Sequence, residues 1–146
     1  LEAYACAGAV IRRTVESLGA SEASSLARRY RAGEAITPRM VAEEADRGDA
    51  LARNVVMETA YWLAIGIVTF VHTIDPDAVV LGGAMTFGGP ASPLGREFLQ
   101  KIRDEARPRL LEPLRDTVKI EFASLGGDAG YIGAAGLARL EQRKQR

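Results

Sequence analysis

The sequence has 146 residues, 47% of them hydrophobic, with 19 basic and 19 acidic side chains and a formal net charge of zero. That is enough apolar material for one domain with an ordinary core, and a balanced charge signals neither a nucleic-acid nor an anionic-membrane partner. Cys6 is the single cysteine, which excludes an internal disulfide or a zinc site built from cysteines of these residues. The chain opens on Leu1 without a methionine or a basic-then-apolar signal segment, and reads as a fragment or processed product of a cytoplasmic protein.

Residues 1–18 place Tyr4, Ala7, Val10, Ile11, Val15 and Leu18 at helical spacing, with Gly19 as a stop, and predict one amphipathic helix. Residues 21–31 make a short second helix ended near Gly33. Thr37 and Pro38 supply an N-cap and a first-turn proline for a third, which ends about Arg47 and Gly48. Asp49 caps a long helix from Ala50 to about Thr73. Its second half (YWLAIGIVTFV, residues 61–71) is apolar all round, which predicts cover on every side; the run is well short of the roughly 20 residues a membrane span needs. His72, at its end, is read as a partner of the last-turn carbonyls.

Residues 74–85 (IDPDAVVLGGAM) carry the first functional signal. Asp75 and Pro76 end the helix, residues 78–81 form a short buried strand, and Gly82 and Gly83 remove side chains at its carboxyl end, where open α/β sheets leave a crevice for a ligand. A plain turn needing positive φ is the alternative. Ser92 and Pro93 start a helix to about Ala106, and residues 117–123 (TVKIEFA) alternate as a half-buried strand. The mixed charges of residues 96–116 mark a solvated helix face rather than a DNA contact.

The last helix begins near Asp128. Gly127, Gly130, Gly133 and Gly136 recur along it as one stripe, and since glycine costs about 1 kcal/mol relative to alanine inside a helix, a close approach of the sheet or a neighbouring helix is expected there. The alternative has the first turn, opened by Gly126 and Gly127, facing an anion. Asp128 would compete for the same amide hydrogens, so it suits a cap or a contact to a metal-bound water better than a phosphate contact.

Three spaced segments, LEAYACAG at residues 1–8, VVLGGAM at residues 79–85 and ASLGGDAGYIGAAGLA at residues 123–138, resemble the ROK family of bacterial sugar kinases and sugar-responsive repressors. The resemblance covers essentially the whole chain. It implies an α/β fold of the RNase H-like, actin-like ATPase type, with residues 1–146 as an incomplete, helix-rich carboxyl-terminal lobe bearing two late strands, and with the amino-terminal lobe and zinc-binding segment absent. Two strands cannot form an independent sheet, so apolar surface is expected where upstream strands would pair.

The resemblance also implies site residues. Glu2 matches the glutamate that hydrogen-bonds a hydroxyl of the bound hexose, glucose by family base rate, where a first-turn cap is the plain alternative. Gly82, Gly83 and Ala84 match the glycine turn against the adenosine of ATP; members usually have a third glycine where this chain has Ala84. Gly127, Asp128 and Gly130 match the start of the final helix, which borders the interlobe cleft in a mainly structural role. Cys6 stands where a serine is usual and is expected to be a buried thiol. ATP and magnesium are the implied cofactors of the whole protein, with structural zinc upstream of this chain, no nucleic acid or membrane contacted and a homodimer as the assembly. The family's catalytic aspartate, phosphate-holding turn and zinc ligands have no counterpart here, so the chain alone is expected to be inactive. A sugar-sensing repressor half and a non-catalytic module using the long helix as an interface stand as alternatives.

Overall fold

Asp49 starts the element around which the others assemble. Its side chain accepts from the Ala52 N–H and opens α5 (Ala50–Ile74), which runs 25 residues until Asp75 turns left-handed at φ 47°. A left-handed residue just before Pro76 ends a helix cleanly, as the sequence predicts. The structure, a computed structural model, describes residues 1–20, 23–83 and 85–144.

The amino-terminal helix is divided, against expectation. α1 (Glu2–Ala5) stops at Cys6, whose extended backbone (φ −90°, ψ 171°) breaks the turn, and α2 (Ala7–Ser17) restarts because Cys6 Sγ accepts from the Ala9 N–H at 3.4 Å. Cys6 is thus a half-buried helix cap, not a buried thiol. α3 (Ser25–Arg31) is capped by Ser24 and starts later than expected; Ser21 and Glu22 lie outside the described residues. α4 (Pro38–Asp46) follows its Thr37 cap as read.

α5 packs against α2, α4 and α6. Its length and hydropathy would suit a bilayer, but its inward stripe of Val56, Ala60, Ala64, Ile67 and Val71 belongs to the buried core. The expected cover on every side is not found. Phe70 and Ile74 remain exposed to solvent, uncovered by any of the described residues.

The sheet has two parallel strands, β1 (Ala78–Leu81) and β2 (Lys119–Phe122), paired from Ala78 opposite Lys119 to Leu81 opposite Phe122. Parallel neighbours need a crossover, supplied by α6 (Pro93–Ala106), whose Phe98, Ile102 and Ala106 are buried. β1 alternates instead of being buried throughout: Val79 and Leu81 pack on the core, while Val80 is 63% exposed. The two edges differ. At the outer edge of β2 the Ile120 carbonyl accepts from Arg103 Nε and Nη2 at 2.9 and 2.6 Å, whereas no strand among the described residues pairs with the outer edge of β1.

His72 does not serve its own helix carbonyls. Its Nε2 accepts from the Leu111 N–H at 3.2 Å and ties the end of α5 to the segment before β2. α7 (Ala129–Lys144) has no buried residue, and a Cβ added at Gly127, Gly130, Gly133 or Gly136 would meet nothing within 4 Å. The close approach expected at the glycine stripe is not made by any described element.

Candidate functional site

Three glycine pairs converge at the carboxyl ends of the two strands. Gly82 and Gly83 after β1, Gly88 and Gly89 before α6, and Gly126 and Gly127 after β2 line an open cleft of about 450 Å³, with Leu81, Phe122 and Ala123 at its floor. Gly83 (φ 81°), Gly88 (φ 89°), Gly89 (φ 59°) and Gly126 (φ 52°) all have positive φ. The turn alternative therefore holds for Gly83 together with the crevice reading, not against it. A Cβ built on Gly83, Gly126 or Gly127 would enter open space. The cleft exists because these positions carry no side chains.

The Gly88–Gly89 wall is held from behind. Phe87 takes φ 48°, a conformation that costs a non-glycine residue about 1 to 2 kcal/mol. It is buried and set edge-to-face against Phe98 at 4.8 Å. That contact fixes the turn and aims the glycines at the cleft. Gly95 in the first turn of α6 lets the Gly89 backbone approach closely, since a Cβ there would lie 2.7 Å from the Gly89 nitrogen. Sequence reading missed this wall; the FGGP of residues 87–90 was its signal.

A second, mostly apolar pocket of about 490 Å³ adjoins the cleft and shares Gly88 with it. Ala7 from the first turn of α2, Thr37, Pro38 and Ala42 from α4, and Met85 and Phe87 from the loop line it, with Arg39 at its rim. These residues come from three separated segments, so no local pattern announced them.

Of the residues singled out from sequence, Gly82, Gly83 and Gly127 meet in the cleft. Ala84 lies outside the described residues. Asp128 and Gly130 do not line the cleft; the Asp128 carboxylate instead pushes the Tyr131 hydroxyl above its ordinary pKa. Glu2 is exposed in the first turn of α1, and among the described residues its carboxylate has no hydrogen-bond partner. It does not share a pocket with the glycines. α1 lies on α2 and α5, with Leu1 over Gly66 and Tyr4 stacked on Trp62 at 4.4 Å. No group of histidine, cysteine and acidic side chains among the described residues could hold a metal ion.

The sequence profile of the ROK family matches residues 1–141. A glucokinase of Halalkalibacterium halodurans is 30% identical over 142 residues, covering 97% of this chain and 41% of that protein. A xylose repressor of Caldicellulosiruptor bescii is 28% identical over 98 residues, 67% of this chain and 23% of that protein. Among solved structures, a ROK family glucokinase from Streptomyces griseus in complex with glucose and AMPPNP superposes with a TM-score of 0.76 at 29% identity, covering 95% of this chain and 44% of that one. The chain thus spans about two fifths of the length of the kinases it matches.

Proposed function

The chain belongs to the ROK family, with the actin-like ATPase fold of its sugar kinases, and from that premise we propose that it is the nucleotide-facing, carboxyl-terminal lobe of an ATP-dependent hexose kinase acting on glucose. The glycine-lined cleft carries the proposal. Bare backbone at Gly83, Gly126 and Gly127 leaves room for a ligand to lie against the strand ends, and the adjoining apolar pocket by Met85 and Phe87 suits the flat face of a purine. When bound there, ATP supplies the phosphoryl group that is transferred.

Glu2 is the second half of the proposal. Its free carboxylate can accept from neighbouring hydroxyls of a hexose. We further propose that the 146 residues alone have no turnover, because none of them matches the catalytic base or the phosphate-holding turn that the family resemblance implies for the whole protein. The open edge of β1 fits a sheet continued by other strands of the polypeptide. The exposed apolar side of α5 at Phe70 and Ile74 fits a homodimer.

Similarity to the xylose repressor favours one other reading, in which the same lobe senses a sugar without phosphorylating it. Calorimetry and kinase assays on the complete gene product separate the two. Gly83→Val should weaken AMPPNP binding by tenfold or more and leave glucose affinity unchanged. Glu2→Gln should weaken glucose binding by about tenfold to a hundredfold, the loss of a hydrogen bond to a charged acceptor, and spare the nucleotide. Glucose binding without ATP-dependent phosphorylation would move the chain to the repressor class; binding of neither ligand would remove both assignments.

A further inference from the structure

α1 is too short to satisfy its own carboxyl end. The chain leaves helical geometry at Cys6, so the Ala3 and Tyr4 carbonyls lose the donors that a continuing helix would supply. Two consecutive arginines of α2 replace them. Arg12 Nη2 donates to the Ala3 carbonyl at 2.6 Å and Arg13 Nη1 to the Tyr4 carbonyl at 2.5 Å.

The two arginines are not equivalent. Arg12 is exposed, and besides the Ala3 carbonyl it faces Glu16 of its own helix, Oε1 lying 3.9 Å from its Nε. Arg13 is 8% exposed and also donates through Nη2 to Thr59 Oγ1 at 2.5 Å. Thr59 is fully buried in α5 and gives its own hydroxyl hydrogen to the Val55 carbonyl at 2.8 Å, so its oxygen is oriented to accept. Arg13 Nε finds no hydrogen-bond partner, with Glu58 Oε1 3.8 Å away. Glu58 Oε1 in turn accepts from Trp62 Nε1 at 3.3 Å, and Trp62 stacks on Tyr4. The contacts close a ring from the Tyr4 carbonyl through Arg13 and Glu58 to Trp62 and back to the Tyr4 side chain.

Stability alone is a poor reason for such an arrangement. A buried guanidinium with one orphaned N–H is often no better than a packed apolar side chain of the same volume, and burial holds this one below its ordinary pKa despite the opposing pull of Glu58. What the bridge provides is direction. Leu1 on Gly66 and Tyr4 on Trp62 are apolar contacts that tolerate sliding, whereas the Thr59–Arg13–Tyr4 bridge specifies where α1 sits along α5. Glu2 lies half a turn before Tyr4 on that helix.

We propose that Arg13 is a positioning residue for Glu2, its guanidinium bridge from Thr59 to the Tyr4 carbonyl fixing α1 so that the Glu2 carboxylate is presented to sugar hydroxyls. The proposal rests on Glu2 being the sugar contact.

The test uses the complete gene product, with glucose and AMPPNP as separate calorimetric probes, and the Michaelis constants where turnover is seen. Arg13→Met should weaken glucose binding about tenfold, as expected of an angstrom-scale misplacement, with nucleotide affinity changed by less than about twofold. Arg13→Lys, which can still reach one acceptor, should recover part of the loss. In the double variant Glu2→Gln, Arg13→Met, the arginine substitution should add less than about twofold to the glutamate effect, because a residue acting only through another is not additive with it. Equal losses for glucose and nucleotide, or multiplying effects in the double variant, would overturn the proposal. Should Arg13→Met fail to fold, Thr59→Val against Thr59→Ser poses the same question: only the valine should weaken glucose binding. A Glu2→Gln protein with unchanged glucose affinity would instead remove Glu2 as the sugar contact.

Discussion

The Asp49 carboxylate reaches across 23 positions to accept the Leu26 N–H at 3.2 Å, while its other oxygen caps Ala52 at 2.9 Å. One acid therefore starts two helices, α3 and α5. The Ser24 hydroxyl donates to it as well at 2.7 Å, and the Ser25 hydroxyl shares its one hydrogen between Glu44 Oε2 at 2.5 Å and Asp49 at 2.9 Å.

This arrangement makes stability depend on acid pH. Burial raises the Asp49 pKa, but the hydrogen bonds from Ala52, Ser24, Leu26 and Ser25 outweigh it and lower the value from 3.8 to about 2. A depressed folded-state pKa stabilises the protein above the unfolded value, and that contribution is lost as pH falls through the folded one. Asp49 should thus contribute about 2 kcal/mol at neutral pH, falling away between pH 4 and pH 2. Urea unfolding at pH 7 and pH 3 measures it, with Asp49→Asn as the reference that keeps one acceptor and lacks the titration. Parallel pH dependences for wild type and variant would refute the assignment.

A different constraint operates at Gly95. A Cβ there would run into the Gly89 backbone, 2.7 Å from its nitrogen and 2.8 Å from its carbonyl carbon, and backbone yields less readily than a flexible side chain. Gly95→Ala should destabilise by about 1 to 3 kcal/mol, the range for overpacking. That loss exceeds the gain of about 1 kcal/mol from replacing glycine by alanine in a helix. Equilibrium unfolding decides the sign. A stabilised Gly95→Ala protein would mean that the Gly88–Gly89 wall shifts freely and does not set the shape of the cleft.

What could be read from sequence divides by range. The Thr37, Asp49 and Ser92 caps act on amides three residues ahead, so their signals were local and the helices they start lie where expected. β2 alternates as its sequence does, with Ile120 inward and Lys119 and Glu121 outward. The break at Cys6 was hidden because the apolar period of residues 1–18 runs through it and cysteine is not a usual cap. Gly82, Gly83 and Gly127 were visible as glycines, but the Gly88–Gly89 wall depends on Phe87 meeting Phe98. The Arg13 bridge joins partners 9 and 46 positions away, a relationship that no periodicity records. β1 and the second half of α5 were expected to be buried because their composition is apolar, yet burial needs a covering element, which the described residues do not supply for Val80 or Phe70.

The glycine stripe of α7 offers a test of that last point. Gly130, Gly133 and Gly136 carry the intrinsic cost of glycine in a helix, and a methyl group added at any of them would meet nothing within 4 Å. In the 146-residue chain Gly133→Ala should therefore raise the helical content of α7 and stabilise it by about 1 kcal/mol, measured by far-ultraviolet circular dichroism during thermal unfolding. The same substitution in the complete gene product reads the surroundings of the stripe: a gain of similar size is expected if it stays open, whereas backbone packed onto Gly133 would turn the gain into a loss. A loss already present in the 146-residue chain would contradict an exposed α7.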